Sequence, residues 1–253
     1  MDHGNTGNKP LKGSKGMIFA AGLGTRLKPF TDNHPKALAP VNGKPLLQRN
    51  IEYFKSYGIE DIIINIHHFA EQITGFLKAN GDFGCRIVTS HEKEQPLETG
   101  GGLMYASWFF EKDEKPFFVM NADILTDLDL ARMHAYHEHQ KPLATLAVTH
   151  RKSSRNLLFD DDMQLCGWAN SSTGETRMSR EDARTLHACA FTCVHIIEPA
   201  FLTRVRQTGK FSVIDTYLDL ARENTIKGYL HNNDRVVDVG RPESITEAEK
   251  YFR

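Results

Sequence analysis

The chain contains no apolar stretch approaching the roughly 20 residues that span a bilayer. It has no apolar segment near Met1 of the kind a secretory signal needs. It also lacks an excess of either charge: 31 Lys and Arg stand against 32 Asp and Glu, a formal net charge of −1. These absences argue against a membrane partner, and against the broad basic field that draws in nucleic acid. Any phosphate binding must then rest on a few placed cations. Cysteine is sparse as well. Cys85, Cys166, Cys189 and Cys193 form no Cys-x-x-Cys pair. On a shared strand, Cys189 and Cys193 would lie about 13 Å apart at roughly 3.3 Å per residue. That is too far for a disulfide, so reduced, buried thiols and a cytoplasmic location are expected. There is no P-loop Gly-Lys-Ser/Thr, no internal repeat and no low-complexity linker.

What remains is a chain of 253 residues, 40% hydrophobic and 25% charged, enough to bury the core of one large domain. Residues 1–15, rich in Gly, Asn and Lys, are expected to form a flexible leader. Beyond them, apolar runs of strand length alternate with helical spacing. Residues 17–21, 62–66, 86–88 and 117–120 predict strands. Leu46, Leu47, Ile51 and Phe54 predict a helix stopped by Gly58, residues 69–79 another ended near Gly81, and 102–110 a third. Continuous apolar strands separated by helices imply an α/β fold, a Rossmann-like, mostly parallel sheet flanked by helices in a single domain. Its nucleotide half covers about residues 16–141 and its second half about 142–253. In the second half, 145–149, 157–159, 165–168, 188–197 and 236–240 read as strands, with a solvated turn at Asp160–Asp162. Helices are expected at 199–206, 212–223 and 242–252, with Tyr217, Leu218 and Leu220 in a core face. His134, His137 and His139 read as parts of a surface helix rather than a metal site. His67 and His68 end a strand near the cleft edge.

Ligands of such sheets bind outside the carboxyl ends of the strands. Two candidate motifs fall there. Gly22-Leu23-Gly24-Thr25-Arg26 follows the first strand, with Pro35-Lys36 ten residues after Arg26. Position 27 is Leu, so this is not the Gly-x-Gly-x-x-Gly dinucleotide fingerprint. A glycine turn bares backbone N–H groups, and two fixed cations follow, which together suit a chain of phosphates. Asn121-Ala122-Asp123 follows the fourth strand, and Asp238 follows a late one. Carboxylates at buried strand ends are costly unless paired or metal-bound.

Gly-x-Gly-Thr-Arg, a spacer and Pro-Lys resemble the signature of the sugar-1-phosphate nucleotidylyltransferases. Pro96-Leu97-Glu98-Thr99-Gly100-Gly101-Gly102 is similar to that family's base-binding turn. Asn121-Ala122-Asp123 and Val237-Asp238-Val239-Gly240 are similar to its metal-binding stretches. The likeness runs from about residue 16 to the end and is strongest toward N-acetylmuramate-1-phosphate uridylyltransferases, with mannose-1-phosphate guanylyltransferases close behind. It implies a nucleotidyltransferase fold of the glycosyltransferase-A-like kind. It also implies transfer of a nucleotidyl group from an NTP to a sugar 1-phosphate. UTP with N-acetylmuramate 1-phosphate is favoured over GTP with mannose 1-phosphate or dTTP with glucose 1-phosphate.

The same resemblance implies roles for individual residues. Arg26 and Lys36 act on the phosphates as catalytic cations. Ala21, Gly22, Gly24, Thr25, Thr99 and Gly100 bind nucleotide, and Asn121 binds sugar phosphate. Asp123 and Asp238 hold Mg²⁺. The chain departs from the pattern in two places. Cys166-Gly167-Trp168-Ala169-Asn170 has no lysine where many relatives grip the sugar phosphate, and Phe191-Thr192-Cys193 stands where a glycine is common. Arg151, Arg155 or Arg180 is left to supply the missing cation, with Arg155 preferred. A catalytically silent sugar-nucleotide sensor on the same fold is the rival class, but such a sensor is expected to lose the cation and acid positions kept here. A glycosyltransferase would need Asp-x-Asp where this chain has Asn121.

Overall fold

Apolar runs too continuous to face water have to pair with one another, and in the computed structural model they do. The structure describes residues 9–180 and 185–253. β1 (Lys15–Phe19) leads through a long loop to the short hairpin β2 (Pro40–Val41) and β3 (Lys44–Pro45), then to α1 (Leu46–Tyr57) and β4 (Asp61–Ile66). Next come α2 (Ala70–Ala79), β5 (Arg86–His91), α3 (Glu98–Tyr105), β6 (Phe117–Asn121), β7 (Ile124–Thr126), α4 (Leu130–Gln140) and β8 (Ala144–Thr149). The second half contains β9 (Arg155–Phe159), β10 (Leu165–Asn170), β11 (Glu175–Met178), β12 (His187–Ile197), α5 (Pro199–Leu202), α6 (Val213–Leu220), β13 (Ile226–Leu230), β14 (Val236–Asp238) and α7 (Pro242–Tyr251).

β5, β4, β1 and β6 are parallel neighbours in that order, with Ile18 opposite both Ile64 and Met120. This is the expected parallel core. β12 then runs antiparallel to β6 and carries the sheet onward, to the parallel pair β8–β13 on one branch and to the antiparallel β9–β10–β11 arm on the other. One sheet therefore spans both halves of the chain.

Side chains alternate across this sheet. Met17, Phe19 and Val119 face α3, α5 and α6, whereas Ile18, Phe118 and Met120 face α1, α2 and α4. Local chemistry sets the helix ends. Gly58 closes α1 at φ 92°, a left-handed conformation that costs glycine little. Asp129 caps α4 by accepting from the Ala131 and Arg132 N–H groups, and Ser212 caps α6. Among the described residues no helix is long and apolar enough to cross a membrane, and no disulfide joins the four cysteines.

Several expectations need revising. Residues 1–8 of the predicted leader lie outside the described residues. From Lys9 onward the chain is docked: Leu11 is 3% exposed and its N–H donates to Tyr57 O. α3 starts at Glu98, so the three glycines lie inside the helix rather than in a turn before it. The helix predicted at 199–206 stops at Leu202. His137 is not on the surface face of α4. It is buried between Thr145 Oγ1 and Glu198 Oε1, at 2.8 and 3.0 Å.

Candidate active site

The carboxyl ends of β1 and β6 open into a cleft of about 230 Å³, walled by residues 19–23, Lys36, the start of α3, Asn121–Asp123 and Lys210. Its floor is built from backbone. After β1 the Ala20 N–H is held by Asn65 Oδ1 at 2.7 Å. Among the described residues, none of the next five N–H groups, Ala21 to Thr25, has a hydrogen-bond partner. Gly24 ends this run at φ 64°. A Cβ there would fall 2.8 Å from Thr31 Cγ2 and 2.9 Å from Lys36 Cβ, so the turn packs directly on the stem of Lys36. A row of free N–H groups in a glycine turn forms a concave anion cradle.

The charged residues converge on this cradle. Lys36 Nζ is ion-paired and hydrogen-bonded to Asp123 Oδ2, with side chains only 13% and 21% exposed. Asp123 and Asp238 are joined by the β7–β14 ribbon. Asp238 lies opposite Ile124, and the Val239 N–H donates to Asp123 O at 2.8 Å. A Cβ on Gly240 would lie 2.9 Å from Asp238 Oδ1 and 3.1 Å from Arg26 Nη2, which locates the Arg26 guanidinium beside the second acid. Asp238 keeps contact with solvent at the cleft mouth. Burial of its carboxyl, and then the nearby Asp123 carboxylate, raise its pKa above the ordinary value, with Lys36, Arg26 and Arg151 opposing. Two neighbouring carboxylates fit a divalent cation, and magnesium needs only one or two of them, completed by phosphate oxygens and water.

Arg26, Lys36, Asp123, Asp238, Asn121 and the Ala21–Thr25 turn therefore meet at one end of the sheet, as does Thr99. Gly100 is buried, and its N–H is already given to Phe211 O at 2.9 Å. A Cβ on it would fall 2.4 Å from the Phe211 ring, so Gly100 seats Phe211 against the helix and does not itself line the cleft.

Arg155 does not line the cleft. It stands exposed at the start of β9, opposite Asn170 on the antiparallel arm. Arg180 is occupied structurally, donating to Ala221 O at 2.7 Å. Of the three arginines, Arg151 is the one whose charge acts, with that of Lys36, on both Asp238 and Cys193, and its Nη2 donates to Phe191 O at 3.5 Å. The arm that carries Arg155 branches off where β12 changes partner between β8 and β9, and spacing along the chain could not reveal this.

Three features of the site were missed. The first is Asn65, a polar residue inside the run Ile62–Ile66. Its Nδ2 donates at 2.7 Å to Glu92 Oε1, and Glu92 is 2% exposed. An amide in a buried apolar strand was the available signal. The second is Lys210, which faces Glu98 at 3.9 Å across the cleft. The third is Cys193, where β12 loses register against β8 and takes φ 58°. Burial, then Asp123 and Asp238, push its thiol up to about 12, so it stays protonated near the acids.

The parallel core, the free N–H cradle and the cation–acid cluster at the strand ends together define a phosphate-handling α/β enzyme. The chain belongs to the nucleotidyl transferase family, whose model matches residues 15–157. It is a nucleotidyltransferase. It is 32% identical to an N-acetylmuramate alpha-1-phosphate uridylyltransferase of Caulobacter vibrioides, over 84% of this chain and 86% of that one. It is 36% identical to a mannose-1-phosphate guanyltransferase of Gibberella zeae over 53% of this chain, but spans only 37% of that protein's length. Among solved structures, HddC from Yersinia pseudotuberculosis, crystallised with GMP-PN, shares the fold at TM-score 0.75 and 22% identity, covering 95% of this chain and all of that one.

Proposed function

We propose that this chain transfers a nucleotidyl group from UTP to N-acetylmuramate 1-phosphate, releasing pyrophosphate. The observation that carries the reading is the convergence of five unpartnered N–H groups with Arg26, Lys36 and two carboxylates at one cleft. An oxygen of the sugar phosphate attacks the α-phosphorus of the NTP, and the bond from that phosphorus to the pyrophosphate oxygen breaks. The attacking oxygen is already ionised and pyrophosphate leaves as an anion, so no protein base or covalent intermediate is needed. The barrier lies in bringing like charges together, and fixed donors and cations lower it.

In this assignment the Ala21–Thr25 N–H groups and Arg26 hold the triphosphate, with Arg26 on the departing β- and γ-phosphates. Lys36 lies on the α-phosphate. Asp123 and Asp238 would hold Mg²⁺, which when bound neutralises phosphate charge. Asn121 is assigned to the sugar phosphate. Arg151 takes the role first given to Arg155, because its charge reaches Asp238. Thr99 lines the nucleotide side, its Oγ1 accepting from the Val213 N–H at 3.0 Å.

The choice of UTP and the amino-sugar acid rests on the likeness to the Caulobacter uridylyltransferase, which extends over most of both chains. The test is a matrix of the four NTPs against several hexose 1-phosphates, read by pyrophosphate release. The highest kcat/KM is expected for UTP with N-acetylmuramate 1-phosphate. A preference for GTP with mannose 1-phosphate would overturn the substrate assignment. Absence of turnover with every pair would overturn the reaction.

A further inference from the structure

α1 packs on the sheet with an apolar buried face of Leu46, Leu47, Ile51 and Phe54. One residue breaks that face. Asn50 is 2% exposed and does not line the cleft. A side-chain amide buried this deeply is costly unless its N–H groups are used. Asn50 Nδ2 donates to Ala122 O at 2.9 Å and reaches Asn121 O at 3.4 Å. Both carbonyls belong to the turn that ends β6 and presents Asp123.

Asn50 also begins a stripe along α1. Tyr53 and Tyr57 follow three and seven residues on, the spacing that keeps side chains on one helix face. Both hydroxyls donate to Leu128 O, that of Tyr57 at 3.4 Å. One face of α1 thus grips both ends of the segment 121–128. The turn is held from two other directions by backbone: the Ala122 N–H donates to Phe19 O at 2.9 Å and the Val239 N–H to Asp123 O at 2.8 Å. Lys36 holds the Asp123 carboxylate from within the cleft. Asn50 is the side-chain anchor behind the turn, out of reach of substrate.

We propose that Asn50 is a positioning residue for nucleotidyl transfer. It fixes the backbone of the Asn121–Asp123 turn, and through it the spacing of the Asp123 carboxylate from Lys36 and Asp238. The inference rests on the reading of Asp123 as a metal ligand. Packing alone does not call for an amide here, because a leucine would extend the apolar face but leave Ala122 O without this donor. Loss of an outer partner that orients a metal ligand costs about 10–100-fold in metal affinity or activity. A shift of about 1 Å at a reacting group costs a similar factor in rate.

The test uses Asn50→Leu, which removes the donors and keeps a side chain branched at the same carbon. Turnover is read by pyrophosphate release, Mn²⁺ binding by loss of the free-ion electron paramagnetic resonance signal, and the fold by melting. A cooperative melt, a kcat lowered about tenfold or more and Mn²⁺ affinity weakened by a similar factor are expected. The KM for the NTP is expected to stay within about threefold, because the Ala21–Thr25 cradle is untouched. Asn50→Asp is the second variant. Protonated, its carboxyl can donate to Ala122 O; ionised, it cannot. Its kcat relative to wild type is therefore expected to fall as pH rises, without the same fall in Asn50→Leu. A folded Asn50→Leu chain with kcat and Mn²⁺ affinity within about threefold of wild type overturns the proposal. So does a loss of kcat no larger than the loss of folded protein. If Asn50→Leu does not fold, a pH-independent ratio for Asn50→Asp overturns it. Asp123→Ala separates the two readings. If it leaves Mn²⁺ binding intact, the metal assignment fails and this proposal with it; if it abolishes binding while Asn50→Leu does not weaken it, the positioning role alone fails.

Discussion

Replacing Lys36 by Ala removes the ammonium ion-paired to Asp123 and braced by the Gly24 turn. The pair is shielded, with side chains 13% and 21% exposed, so the charge acts in a medium far less polarisable than water. A unit charge 4 Å from a phosphate oxygen interacts by about 4 kcal/mol at an effective dielectric of 20. Part of that attraction is already felt by the bound NTP. Only the increase as charge crowds the α-phosphorus lowers the barrier. Loss of one preorganised donor of this kind costs about 3 kcal/mol, a fall of roughly 150-fold in kcat at about 1.36 kcal/mol per decade. Nucleotide affinity should weaken less than about tenfold, because the Ala21–Thr25 N–H groups and Arg26 remain. The assay is pyrophosphate release at saturating substrates, paired with calorimetric titration of the NTP. A kcat within about threefold of wild type, or a weakened affinity with kcat unchanged, would refute a transition-state role for this ammonium.

Gly24→Ala places a Cβ in a left-handed backbone and against Thr31 and Lys36. A loss of about 1–2 kcal/mol in urea unfolding is expected from the backbone alone, with a drop in kcat as Lys36 shifts; a stable, fully active variant would contradict the packing. Burial holds His195 down to about 3 and His231 down to about 4. Both stay neutral in the fold but take up protons when unfolded below about pH 6.5. Stability should therefore fall as pH drops from about 6.5 toward 4, and His195→Asn should flatten that slope; an unchanged slope would exclude His195 as a source. Asp238→Asn removes a carboxyl whose folded pKa is raised. The folded state binds its proton more tightly than the unfolded chain, so ionisation lowers stability as pH rises above about 4. The variant should melt higher than wild type at pH 7 in metal-free buffer, with the gain vanishing in acid, yet lose activity; a lower melting temperature throughout would contradict the repulsion between the acids. EDTA should abolish turnover and excess Mg²⁺ restore it, and full activity in chelator would remove metal from the reaction.

The parallel core was legible because the inner residues of β1, β4 and β6 are apolar apart from Asn65, which suits a strand buried on both faces. The cation–turn motif was legible because its residues lie within one short segment. Features that depend on distant partners were not. The glycines 100–102 read as a loop by propensity, but Phe211 and the carbonyl of Gly209 approach so closely that only glycine fits inside the helix. His137 looked solvated by its neighbours Glu138 and Gln140, and was turned inward by Thr145 and Glu198. β7, β11 and β13 are short or mixed in polarity, and pairing rather than pattern defines them. Arg151 and Arg155 could not be told apart in the sequence for the same reason: where each lies depends on where β12 changes neighbour.

The ribbon that carries Asp238 to Asp123 ties residue 124 to residue 238. A nascent polypeptide emerging from the ribosome would present the glycine turn, Arg26 and Lys36 long before the second carboxylate is synthesised. Until that strand docks, the partly made chain carries the glycine turn and both cations but only one of the two acids.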